Sequence, residues 1–246
     1  MSPIYVPGKV TLRNQPNTWA EGGDQVFYID VASNPYRVHV FTTTGSSQLT
    51  VKQGGSFEYL VVAGGGAGRG IGFSGNSGDG GGAGEFLTGS LVLIPGIKSI
   101  YVGSGGIGVA DANGGNGENS TFDSITATGG TGGSGVSSTI ARNGGAGGTG
   151  TPGQIGVNPN AGAGGDGAVS DITGTSTAYA GGGGGGFTNG GLGGLGGGGR
   201  GDSFGLNNGT PGQANTGGGG GGRSRGGGIF AGYNGGSGIV IVRYAI

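Results

Sequence analysis

The sequence predicts a mainly β and irregular fold with essentially no α-helix. A small N-terminal β region is expected to precede a β-framed bundle of polyglycine-II helices. Two observations carry this prediction. Glycine supplies 75 of the 246 residues, against a usual share of about 7%, and nearly all of it follows residue 53. Alternating apolar and polar residues, the signature of half-buried strands, occupy the glycine-poor part, and strand-like apolar runs occupy both ends of the glycine-rich part.

Residues 1–53 are the first predicted domain, an N-terminal arm and β docking region. Alternation predicts strands over residues 25–31 and 36–42, with a third near Leu49 and Val51 and a turn at Asn34-Pro35. Three strands are marginal alone, so we expect this region to pack on the rest or on a partner. The first twenty residues show no period and predict an extended arm. Its candidate docking side chains are Ile4, Tyr5, Val6, Leu12 and Trp19.

Residues 54–246 are the second predicted domain, the glycine-rich part with its β frame. Residues 239–244 open with the continuous β-branched run Ile239–Val242, which predicts a strand buried on both faces. We expect it to pair with residues 57–63 and close the domain, so that a fragment 54–246 folds alone. Further strands are predicted at residues 90–94, 99–103 and 121–128.

Two interpretations compete for the glycine tracts between residues 129 and 238. A chain this rich in glycine and without a strict period is usually disordered, because ordering glycine costs much backbone entropy. Low charge, short tracts and an apolar terminal strand favour order. The ordered form is a bundle of polyproline-II-type rods with three residues per turn. Their backbone groups must bond to neighbouring rods, and only glycine permits that approach.

Charge and residue usage exclude several functions. The chain has 11 basic and 12 acidic residues, no cysteine and one histidine, His39. Nucleic acid and anionic membranes require clustered Lys and Arg, so we expect neither as a partner, and no membrane insertion. We also expect no catalytic residues, no metal, no cofactor and no enzymatic activity. The carboxylates are widely dispersed, and no apolar run approaches the length of a membrane helix.

Three short motifs are poor evidence for a function in a chain this rich in glycine. G-x-G-x-x-G patterns are expected by chance and open no helix after a strand, as a dinucleotide site requires. Residues 114–119 resemble one calcium-binding nonapeptide, but no tandem copies follow. Arg200-Gly201-Asp202 spells an integrin-ligand tripeptide, for which a polar turn between rods is the favoured interpretation.

The aromatic residues between glycine tracts are the candidate contact residues. Rods of glycine have no apolar core for them to fill. They either cap rod ends and pack on the β frame, or stand exposed at loop tips as contact anchors, and the sequence favours neither. These residues are Phe73, Tyr179, Phe187, Phe204, Phe230 and Tyr233.

Four segments carry a family resemblance: residues 57–66, 114–122, 125–130 and 235–244. They resemble the glycine-rich domain of bacteriophage tail-fibre and other virion proteins. The resemblance implies a β frame that holds polyglycine-II rods. The chain is more loosely similar to the adhesins at tail-fibre tips, in which an N-terminal region docks on the fibre and far-end loops touch the host receptor.

The resemblance implies an adhesin of a tail fibre or tail tip. Its expected partners are other virion proteins, through residues 1–53, and a host cell-surface molecule, with self-association left open. The alternatives are a structural decoration protein of capsid or tail, and an ice-binding protein with a flat face of small side chains. The N-terminus lacks a basic region and a long apolar core, so we expect synthesis in the host cytoplasm without a signal peptide and a final location in the virion.

Overall fold

A computed structural model of the protein describes residues 18–73, 76–137, 142–226 and 228–246. These residues form β-strands and no α-helix, which confirms the mainly β prediction. The strands are β1 (Trp19–Glu21), β2 (Gln25–Val31), β3 (Asn34–Phe41), β4 (Gly45–Gln53), β5 (Gly55–Val62), β6 (Ser77–Gly78), β7 (Phe86–Leu93), β8 (Gly96–Val102), β9 (Ser120–Phe122), β10 (Ile125–Ala127), β11 (Val136–Ser137), β12 (Ala168–Ser170), β13 (Thr177–Tyr179) and β14 (Ile239–Ala245). The described residues therefore contain no helix that is long and apolar enough to cross a membrane.

Ten strands form two five-stranded antiparallel sheets. Sheet 1 has the order β1-β4-β8-β9-β10, and sheet 2 has the order β2-β3-β14-β5-β7. The predicted pairing of residues 57–63 with residues 239–244 is confirmed, since Ile241 of β14 lies opposite Leu60 of β5. On its other side, Ile241 lies opposite Val40 of β3. The last strand is therefore the centre of sheet 2.

The main hydrophobic core lies between the two sheets. Alternate residues of each strand face inwards because side chains change sides at every residue of a strand. The Phe57 and Tyr244 rings meet edge to face, with centroids 4.9 Å apart. Burying a large apolar side chain stabilises the fold by about 1.5–3 kcal/mol. The buried members include Phe41, Leu49, Val51, Phe57, Val61, Ile100, Val102, Phe122, Val240, Val242 and Tyr244.

The outer face of sheet 2 is covered as well. The β12–β13 hairpin and its loop place Ile172 and Tyr179 in a second core with Val38, Leu60 and Ile241. Strand β14 is consequently buried along its length apart from Ala245. This arrangement explains its continuous apolar sequence and confirms burial on both faces.

The strands of residues 19–53 complete both sheets. Strand β3 pairs with β14, and β4 pairs with β8. Gly54, at the predicted boundary, joins β4 of sheet 1 to β5 of sheet 2. The predicted turn at Asn34-Pro35 is wrong, because both residues already pair with β2. Ala32 and Ser33 make the turn instead, with positive φ at both positions, as tight two-residue hairpins require.

The glycine tracts are hydrogen-bonded rods with a three-residue period. In the tract 64–71, every third N–H donates to the same neighbouring segment. One set bonds to residues 112–118, the next to residues 230–236 and the third to residues 79–82, with N–O distances of 2.8–3.1 Å. Rotation by one third of a turn per residue is the geometry of a polyproline-II-type helix. The tract is therefore a polyglycine-II rod.

The rods pack as a hexagonal bundle. The tract 64–71 also accepts bonds from residues 130–133, from residues 220–223 and from Gly106, which brings its bonded neighbours to six. Tracts 181–186 and 217–223 each have six bonded neighbours as well. A Cβ at Gly65 would lie 2.1 Å from the carbonyl oxygen of Gly218. Side chains are therefore incompatible with the centre of the bundle.

The rods leave the β-sandwich from one end. In sheet 2, Ile239 at the start of β14 lies beside Val62 at the end of β5, which lies beside Phe86 at the start of β7. In sheet 1, the ends of β8 and β10 and the start of β9 lie at one end too. All of these ends continue into rods. We call the rod-free end of the sandwich the base and the opposite end of the rods the distal end.

Candidate binding surface at the distal loops

The turns between rods meet at the distal end of the bundle. We call the described turns there the distal loops: residues 71–73, 109–112, 155–160, 187–190, 203–209, 224–226 and 228–230. Isolated bridges join three pairs of these loops: Ile71 with Phe230, Asn160 with Asn189, and Phe187 with Ser203. A fourth bridge joins Ala110 to Ala231, directly after the last loop. Loops fixed on a rigid scaffold in this way are a common location for recognition.

Large apolar side chains are exposed on these loops. Phe73 is 76% exposed and Phe204 is 53% exposed. Three aliphatic residues are exposed as well: Leu206 on the same loop as Phe204, and Val157 and Ile229 on other loops. Single exposed apolar residues are ordinary. Several on adjoining loops at one end of the molecule form a candidate contact surface.

Arg223 joins the distal ends of three rods, because it lies at the end of one rod and contacts residues of two others. Its guanidinium pairs with Asp202 at 3.2 Å and donates to the Tyr233 hydroxyl at 2.8 Å and to the Ala231 carbonyl at 2.8 Å. It also lies 4.3 Å from the centroid of the Tyr233 ring and 5.3 Å from that of Phe230. Burial, aided by the charge of Asp202, raises the pKa of Tyr233. The cluster holds both aromatic rings in fixed positions.

Arg225 makes a second cluster of the same kind. Its guanidinium carbon lies 5.1 Å from the centroid of the Phe187 ring and 5.2 Å from that of Phe204. The neighbouring Ser224 hydroxyl donates to the Phe187 carbonyl at 2.7 Å. Each cation–π contact contributes about 0.5–1 kcal/mol at an exposed site. Arg225 therefore contacts both the half-exposed Phe204 ring and the buried Phe187 ring.

The structure separates the six aromatic candidates. Phe73 and Phe204 are exposed on distal loops, and Phe230 and Tyr233 are half-buried against Arg223. Tyr179 and Phe187 are buried, so neither ring is available to a partner. Tyr179 lies on the outer face of sheet 2, where burial raises the pKa of its hydroxyl.

The docking candidates fall only partly within the described chain. Trp19 is half-exposed at the base, beside a groove of about 220 Å³ that Tyr28, Arg37 and Ile246 also line. Ile4, Tyr5, Val6 and Leu12 lie outside the described residues.

Several residues of the surface carried no signal that sequence reasoning used. Arg223 directly follows a six-glycine tract and Arg225 lies two residues further on. The end of the tract marks a rod end, but an arginine there gives no indication of its aromatic partners. Leu206 and Ile229 are exposed, but an isolated aliphatic residue beside glycine gives no indication of its exposure. Asp202 of the Arg200-Gly201-Asp202 motif is buried and paired with Arg223. The tripeptide is therefore part of a rod, and its carboxylate is not accessible.

The other motifs have structural roles in the bundle. Within residues 114–119, the Asn116 and Asn119 side chains accept hydrogen bonds from the N–H groups of Gly132 and Gly129 on a neighbouring rod. His39 is buried and donates from Nδ1 to the Gly22 carbonyl at 2.6 Å. Burial lowers the pKa of His39. Across the described ranges, no three His, Asp or Glu residues group closely enough to hold a metal ion.

Comparison with known proteins identifies the family. No curated protein matches the chain. A family model described as a glycine-rich domain matches residues 42–245. The match spans β4 to β14 together with the rods and the distal loops, which is far more than half of the chain. The chain therefore belongs to the glycine-rich domain family.

Proposed function

We propose that the protein is a bacteriophage virion surface protein that acts as an adhesin at a tail fibre or tail tip. The distal loops contact a host cell-surface molecule, and the base, with residues 1–53, docks to other virion proteins. One observation carries the proposal: large apolar side chains are exposed together on loops that rigid rods hold at the end of the molecule farthest from the base.

The rods favour binding because they fix the loops in advance. Their backbone groups bond to as many as six neighbouring rods, so both ends of each loop are held in place. A preordered surface loses less conformational entropy when it binds. The clusters around Arg223 and Arg225 add the same rigidity to the rings of Tyr233 and Phe204.

The base supports the second half of the proposal. Apolar side chains are exposed there too, among them Trp19, Ile94 and Ile97. Two exposed apolar regions at opposite ends suit a protein that holds a particle with one end and a host with the other. The net charge of −1 favours contacts made by apolar surface, because a near-neutral surface exerts little long-range attraction.

Electron microscopy of purified particles with a labelled antibody against the protein tests the location. Label confined to fibre or tail tips is the expected result. Label over the whole head or tail would contradict the adhesin and identify a decoration protein.

Binding of the labelled full-length protein to host cells tests the contact surface. The double variant Phe73→Ala/Leu206→Ala should weaken binding at least tenfold, because exposed apolar anchors supply much of an interface's affinity. Leu192→Ala is the matched control, since Leu192 is as exposed as Leu206 but lies within a rod, outside the distal loops. Equal loss in the control would show that the distal loops are not the contact surface.

A further inference from the structure

Strand β7 is an open edge of sheet 2. Within the described chain it pairs with β5 alone, and the pairing continues without a bulge from Phe86 to Leu93. A strand at the edge of a sheet presents a row of N–H and C=O groups that another strand can bond. For residues 87–93, no backbone hydrogen bond to a loop or rod occurs among the described residues.

The other three sheet edges carry protective features. Strands β1 and β10 at the edges of sheet 1 have three residues each, and β1 has a bulge. Strand β2, the far edge of sheet 2, contains Asp30. Short strands, bulges and charges are the usual devices against edge-to-edge pairing. Strand β7 has eight residues, no charge and no proline.

We infer that β7 is a self-association edge, at which two copies of this chain pair their β7 strands antiparallel. A two-fold axis makes each strand its own partner. No like charges then meet across the interface, because the strand carries none. The outward face offers Thr88, Ser90 and Val92, all exposed, and such hydroxyl and β-branched residues favour cross-strand pairs.

The apolar surface continues beyond the strand. Val92, Ile94 and Ile97 are each more than two thirds exposed around the connection between β7 and β8. A second copy would cover part of this surface and extend sheet 2 across both molecules. Antiparallel pairing also points the two rod bundles in opposite directions. The inference concerns the protein free of the particle, because Ile94 and Ile97 are also base residues that the proposed function assigns to virion docking. Sedimentation of the purified chain tests the dimer separately from that function.

Sedimentation of the full chain over a range of concentrations tests the inference. A monomer–dimer equilibrium is expected, with the dimer lost in Ser90→Lys because like charges would meet near the two-fold axis. Ser99→Lys is the matched control, since Ser99 is equally exposed but lies on β8, which is paired on both sides. This control should keep the dimer.

A second variant and a second measurement keep the outcome decisive. Val92→Lys replaces an apolar cross-strand contact by a charge at a second exposed position of the strand, and circular dichroism verifies that each variant is folded. Hydrogen exchange of residues 86–93 should slow as concentration rises, because the edge amides become bonded. A monomer at every concentration would overturn the inference, as would a dimer that survives both lysine variants.

Discussion

The backbone N–H of Ala20 donates a 2.9 Å hydrogen bond to the Tyr244 hydroxyl, which ties the edge of sheet 1 to the central strand of sheet 2. Both residues are buried, so water cannot replace the bond. Because burial raises the pKa of Tyr244, the hydroxyl stays protonated at neutral pH. The two sheets are thereby joined near the base, where the sandwich has no rods.

Removal of that hydroxyl should destabilise the protein. Tyr244→Phe leaves the buried Ala20 N–H without its acceptor, a change that costs about 1–3 kcal/mol of unfolding free energy. Urea denaturation measures the loss. Tyr28→Phe is the control, because Tyr28 is largely exposed. Equal stability of the two variants would show that the bond contributes nothing.

Stability should fall as the pH drops below about 6.5, the ordinary pKa of histidine. Burial, aided by the charge of Arg37, lowers the pKa of His39 in the folded state. The unfolded chain therefore binds a proton at a higher pH than the folded chain. The stability is fully present above pH 6.5 and is lost progressively towards the lowered pKa. Urea midpoints between pH 8 and pH 5 should show this slope, and His39→Gln should reduce it; an unchanged slope would assign it to other groups.

A methyl group inside the rod bundle should be far more damaging than one outside it. Gly65→Ala would bring its Cβ to 2.1 Å from the Gly218 oxygen, whereas Gly226→Ala meets nothing closer than 3.4 Å. We expect Gly65→Ala to cost about 3 kcal/mol and Gly226→Ala to change the thermal midpoint little. Similar midpoints would mean that the rods can separate without penalty.

The fragment 54–246 should fail to fold alone, contrary to the expectation from sequence. Without β3 and β4, strand β14 loses its pairing on one side, and β8 loses its longest pairing. Circular dichroism and limited proteolysis of the fragment measure this outcome. A protease-resistant fragment would show that β5 and the rods suffice to hold β14.

Loss of Arg223 should loosen the distal loops. Arg223→Leu leaves the Asp202 carboxylate, whose side chain is only 4% exposed, without its cation. Breaking a buried ion pair in this way costs about 3–5 kcal/mol. Hydrogen exchange should rise in residues 203–209 and 228–233. Arg200→Leu, at an exposed position of the same region, should leave the exchange unchanged.

The sequence predicts the local elements of this protein better than their assembly. Apolar alternation and glycine content locate the pairing of β5 with β14 and the rods, because both depend on period. Residues 19–53 supply strands to both sheets. Their placement depends on pairs such as Val40 with Ile241, which are distant along the chain. No local pattern specifies such a partner.

The candidate surface shows the same limit. Phe187 and Phe204 both stand between glycine tracts in the sequence, yet one is buried and the other exposed. The difference depends on where each ring lies relative to Arg225 and to the neighbouring rod end. That position follows from bundle packing, which composition alone does not determine.

The three-residue period of the rods has a consequence for how such proteins change over time. Insertion of one triplet into a rod adds about 9 Å of length at 3.1 Å per residue and restores every N–H to its original direction. Insertion of one or two residues rotates all later bonding groups away from their partners. Viable insertions and deletions in the rods should therefore come in threes, while the distal turns accept any length. The distal loops of such a bundle can therefore vary in length and sequence while the three-residue period of the rods is kept.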